Sequence, residues 1–166
     1  MIELIRVVEE GETEETGAER ALHDAIAYWT MYATEHRLPA YRPRIKAGVR
    51  KGLAAGLTPP DAYLALAWVL ADDDSMVAAA QVLQRGVVVH PGNARMLHRL
   101  GWTLRTSGRA AEAVAPLQRA VAIQPNLVEA QHELAQALAA SNRVQEAEAA
   151  YRATVALDPL HQPGAW

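Results

Sequence analysis

Two tryptophans, Trp68 and Trp102, and two histidines, His98 and His132, recur 34 residues apart in a chain that contains no cysteine. Indole rings present flat faces to apolar groups and cations, while imidazoles ligate metals or move protons near neutral pH. Two histidines without a third ligand at suitable spacing make a poor metal site, so neither a metal nor any other cofactor is expected. The missing cysteine excludes disulfides, thiolate zinc sites and cysteine nucleophiles. Gly-rich phosphate loops, HExxH and GxSxG are absent, and the carboxylates show no paired arrangement. The chain therefore reads as a binding protein and not an enzyme.

Two charge runs also carry chemistry. Arg37, Arg42, Arg44, Lys46, Arg50 and Lys51 form a basic stretch with no acid inside it. It reads either as a docking site for an acidic partner or as a solvated helix face neutralised by the acidic run Glu9 to Glu15. Asp72, Asp73 and Asp74 are consecutive, whereas calcium loops place carboxylates on alternate positions. They are expected instead to cap the helix that follows, where the dipole favours negative charge.

The elements that would position these groups follow from three prolines, Pro91, Pro125 and Pro159, also spaced by 34. Windows starting at Pro60, Ala94 and Val128 superimpose. Position 7 is Leu66, Leu100 and Leu134, position 8 is Ala67, Gly101 and Ala135, and position 11 is Leu70, Leu104 and Leu138. Position 20 is Ala79, Ala113 and Ala147, position 24 is Leu83, Leu117 and Tyr151, and position 27 is Gly86, Ala120 and Thr154. The first set falls on one face of a first helix and the second on one face of a second helix. Small residues at 8, 20 and 27 let the helices approach, and large ones fill the seam. Gly108 and Asn142, both at position 15, favour the left-handed conformation that stops the first helix. Pro116 falls inside a second helix and is expected to kink it at a cost of roughly 3 kcal/mol.

This order of large and small residues, with proline at position 32, resembles the tetratricopeptide repeat over residues 60 to 161. The resemblance implies an all-α, right-handed α-solenoid of helix-turn-helix repeats at 60–93, 94–127 and 128–161. It also implies that positions 2, 5, 9, 12 and 13 of the first helices face a concave groove. Leu64, Trp68, Arg95, His98, Trp102, Arg105, His132 and Gln136 are then the candidate peptide-binding residues. Trp68 and Trp102 share position 9 and form a candidate aromatic ladder, unless one or both pack against Leu64 or the N-terminal helix and only fill the core. Arg95 and Arg105 suit a peptide with apolar anchors and some acidic residues.

Residues 1–17 read as a flexible acidic segment and 18–57 as a helical hairpin. Its helices are predicted over about Ala18 to His36 and Pro43 to Ala55, the second burying Ile45, Val49 and Leu53. The repeat frame stepped back once puts Trp29 at position 4, Val49 at 24 and Gly52 at 27, as in a degenerate repeat. Thr58 is read as the cap of the next helix and Asn93 as that of the middle repeat. The tail, 162–166, leaves no room for a closing helix, so either the last helix, with Glu146, Glu148 and Arg152, is polar enough to stand in water, or Trp166 folds back, or the last hairpin supports a weak homodimer.

With 166 residues, 51% hydrophobic and 21% charged, the chain can bury a real core, and its net charge of −3 gives no reason to expect nucleic acid. The start lacks the apolar stretch of a signal peptide, and no 18-residue apolar run exists, so no membrane partner and a cytoplasmic location are expected. The leading expectation is an adaptor that holds a protein segment in its groove. A secretion-type chaperone for an unfolded client and an accessory subunit of an enzyme complex are the alternatives.

Overall fold

A computed structural model of the protein describes residues 16–34 and 39–158. All regular structure among them is helical. Glu9 to Glu15, Arg37, Pro159 and Trp166 lie outside the described residues, and so do the acidic segment before Thr16 and the 162–166 tail. The chain divides into two compact units, Met1–Leu57 and Thr58–Trp166.

The first unit pairs α1 (Gly17–Thr34) with α2 (Arg42–Ala54), joined through a 3-10 turn at Pro39–Tyr41. Helix α1 starts with a reciprocal cap: the Thr16 hydroxyl accepts from the Glu19 N–H at 3.2 Å, and the Glu19 carboxylate accepts from the Thr16 N–H at 2.6 Å. The Thr16 N–H bond holds the Glu19 carboxyl below its ordinary pKa. Helix α2 buries Ile45, Gly48, Val49 and Gly52, while Leu53 is only half-buried. The expected large residue gives way to two glycines because the helices run too close for side chains. A Cβ on Gly48 would stand 2.2 Å from the Ala21 carbonyl oxygen, and one on Gly52 2.8 Å from Leu22 Cβ.

The second unit contains α3 (Pro60–Asp72), α4 (Met76–Val89), α5 (Ala94–Thr106), α6 (Ala110–Ile123), α7 (Val128–Ala140) and α8 (Val144–Leu157). Each helix packs on the next in sequence. Helix α3 also meets α5, and α5 meets α7, whereas α4, α6 and α8 do not meet one another among the described residues. The first helices are thus the inner layer of a curved stack, the second helices the outer. Of the eighteen side chains aligned at positions 7, 8, 11, 20, 24 and 27, only Tyr151 is exposed. Gly101 earns its place at position 8, since a Cβ there would stand 2.3 Å from Leu117 Cγ, and Leu117 is fully buried.

Three turns repeat the same termination. Asp74, Gly108 and Asn142 adopt φ of 56°, 80° and 60°. Just beyond each, Ser75, Arg109 and Arg143 donate their N–H to the carbonyls of Leu70, Leu104 and Leu138, each at 2.9 Å. Asp74 therefore does in the first turn what Gly108 does in the second. This corrects the helix-capping expectation for the Asp72 to Asp74 run: α4 has Ser75 at its N-cap and no side-chain cap bond. Gly108→Ala is expected to lower stability by about 1 kcal/mol, because the site has space for a methyl group but a φ that alanine disfavours. An unchanged urea midpoint would show that the left-handed turn carries no such cost.

Two further expectations about helix ends divide. Asn93 caps α5 as anticipated, its side-chain oxygen accepting from the Met96 N–H at 2.9 Å. Thr58 does not cap α3, whose N-cap is Pro59 without a side-chain bond. The Thr58 carbonyl instead lies 2.6 Å from His90 Nε2; a carbonyl can only accept, so Nε2 carries the proton. Pro116 is accommodated within the unbroken span of α6.

Candidate functional site

The inner layer places α3, α5 and α7 side by side, so residues one turn apart on these helices share one surface. At its centre the Arg99 guanidinium lies over two indole rings, 4.3 Å from the Trp68 centroid and 4.9 Å from that of Trp102. Both tryptophans are half-buried. The expected ladder is therefore a stack in which a cation joins the aromatic groups. Such contacts are worth roughly 0.5–1 kcal/mol when exposed and about 2 when desolvated.

Arg99 was not among the residues singled out from sequence. It occupies position 6, one turn before Trp102 on α5, and Glu133 occupies position 6 on α7. The signal was present in the three-residue spacing from Arg99 to Trp102. Glu133 accepts from Arg105 Nε at 2.7 Å and from a second guanidinium nitrogen at 3.3 Å, a forked pair joining α5 to α7. Arg105 is thereby held by its own chain.

Two other candidates are occupied by packing. Leu64 is 5% exposed, and His132 is 8% exposed, so neither offers a surface to a ligand. His132 Nε2 lies 2.7 Å from Gln136 Nε2, and its ring meets Tyr151 edge-on at 6.0 Å. With the amide nitrogen donating, His132 accepts at Nε2, and Gln136 is engaged on its own helix. The pairing of His98 with His132 by period does not give them one role. Arg95 is exposed at the start of α5. His98 is half-buried beside Arg99, and burial first, then that neighbouring charge, lowers its pKa to about 4. It is neutral at pH 7. Among the described residues no group of three His, Cys, Asp or Glu is placed to hold a metal.

The basic stretch lies on α2. Arg44, Arg50 and Lys51 are exposed, while Arg42 and Lys46 are half-buried. Arg44 sits over the Tyr28 ring at 5.4 Å and donates to its hydroxyl at 3.5 Å.

Two family models, each described as tetratricopeptide repeat, match residues 78–128 and 104–165. No curated protein matches. Among solved structures, MamA MSR-1 in its C2 form is similar with a TM-score of 0.69 at 21% identity, over 89% of this chain and 80% of that one. MamA AMB-1 in its P212121 form gives 0.71 at 21%, over 95% and 82%. A further MamA crystal structure gives 0.74 at 17%, over 89% and 82%. At these identities the likeness is one of fold, an α-solenoid of helix-turn-helix repeats.

Proposed function

Because the chain belongs to the tetratricopeptide repeat family, whose fold generally serves as a non-enzymatic module for binding proteins, we propose that it is an adaptor holding a protein segment on its inner helix layer. The observation that carries this reading is the Trp68–Arg99–Trp102 stack. Two half-buried indoles give an extended segment apolar anchor points, and the exposed Arg95 at the start of α5 favours an acidic residue in that segment. Arg105, His132 and Leu64 support the surface from within. No described helix is long and apolar enough to cross a membrane, and we place the adaptor in the cytoplasm. We place any self-association on the last hairpin and not in the groove.

Peptides selected from a random display library on the full chain provide the test. Selected sequences are expected to pair an acidic residue with apolar ones. Trp68→Ala, Trp102→Ala and Arg99→Ala are each expected to weaken binding by at least about 30-fold, as at interface hot spots. Unchanged affinity in all three variants, with helicity retained by circular dichroism, would overturn the reading. An unfolded client held by a chaperone would instead spread its contacts, so single truncations would each cost little.

A further inference from the structure

The face that α8 turns outward breaks the pattern of the stack. Ala79 and Leu83 on α4, and their counterparts Ala113 and Leu117 on α6, are buried. The same two positions on α8 are Ala147 and Tyr151, and Tyr151 is 39% exposed, with Val144 at 65% and Val155 at 59% beside it. These three, with Ala139, Ala147, Glu148 and Arg152, line an open apolar groove of about 530 Å³. Glu148 and Arg152 edge it as an ion pair one turn apart on α8.

The geometry points to a second copy of this chain as the occupant, packed through α8 in an antiparallel, two-fold symmetric pair. Self-complementarity of charge selects this arrangement. A two-fold axis crossing α8 at the level of Ala150 brings Glu148 of each copy opposite Arg152 of the other, on the same rim, and lays Tyr151 and Val155 across the apolar centre. A parallel pair would set Glu148 against Glu148 and Arg152 against Arg152. A head-to-tail stack needs an open first-helix face, and α3, which would supply it within the second unit, already buries Tyr63, Leu64, Leu66, Val69 and Leu70.

Sedimentation of the full chain over a concentration series tests this. Wild type is expected to pass from monomer to dimer and stop there. Tyr151→Glu and Val155→Glu are each expected to weaken the dimer by at least about tenfold, since a charge enters the apolar centre. Glu148→Arg alone and Arg152→Glu alone are expected to be monomeric, and mixing those two variants to restore a dimer, a result that only facing charges produce. The proposal is overturned if wild type stays monomeric at the highest concentration or if the substitutions leave the dimer unchanged. Growth beyond the dimer, the mark of a head-to-tail stack, would overturn it too. So would a chain shortened after Asp158 that dimerises where the full chain does not, because the chain's own last residues would then fill the groove.

Discussion

Gly48→Ala is expected to separate α1 from α2 and to cost about 3 kcal/mol, the upper end of overpacking penalties. A Cβ at that position would stand 2.2 Å from the Ala21 carbonyl oxygen and 2.7 Å from Ala25 Cβ. The first of these neighbours is backbone, and no rotamer change can move it. Alanine improves helix propensity by about 1 kcal/mol, so the two effects oppose one another and the clash is the larger. The measurement is amide exchange across α1 and α2, where protection should fall. Gly92→Ala is the control: a Cβ there meets nothing within 4 Å, so stability should hold or rise slightly. A Gly48→Ala variant as stable as wild type would show that the close approach of the helices is not needed.

The second large effect is acid sensitivity centred on His98. Its folded pKa is lowered to about 4, against 6.5 for the exposed ring, because the charged form would be buried next to Arg99. Between those values the unfolded chain binds more protons than the folded one, so stability falls as pH falls. The contribution is fully present above about pH 6.5, shrinks through the interval and is gone below about pH 4, with about 2 kcal/mol lost between pH 7 and 4.5. Urea midpoints over that range should show the slope in wild type and a flatter curve in His98→Gln. The exposed carboxyls of Glu112 and Glu146, each lowered by a hydrogen bond from Arg109 or Arg143, titrate in the same direction in both proteins and cancel in the comparison. Equal slopes would remove His98 as the cause. Protonation of His98 would put a second cation beside Arg99, next to the tryptophan stack proposed as the binding surface.

The helices were legible because their causes are local or periodic. The 34-residue register of Leu66, Leu100 and Leu134, and of Ala79, Ala113 and Ala147, reflects one packing solution used repeatedly, and each of these side chains is buried. The cap of α1 is equally local, Thr16 followed by Glu19 three residues later, although Thr16 falls in the stretch that reads as a flexible acidic segment. Asp74 was misread because an aspartate has two common uses near helices, as an N-cap and as a left-handed terminator. Only the φ of 56° separates them.

The groove was harder to read for a different reason. Sequence period assigns the same role to residues at the same position, yet His98 and His132 differ in burial and partners, and Arg105 differs from Arg95 by one acid on the neighbouring helix. Those differences depend on what stands across the helix interface, which no single helix encodes.

By itself, the amino-acid order determined that the chain repeats, which faces of its helices are apolar and which small residues must lie in the seams. Spacing along a helix sets those properties, and they survive whatever the neighbour is. The tertiary structure decided that Arg99 lies over both Trp68 and Trp102, that Glu133 holds Arg105, and that Tyr151 alone among its equivalents is uncovered. Each of these is a relation between side chains on different helices, and distance in space, not distance along the chain, sets it.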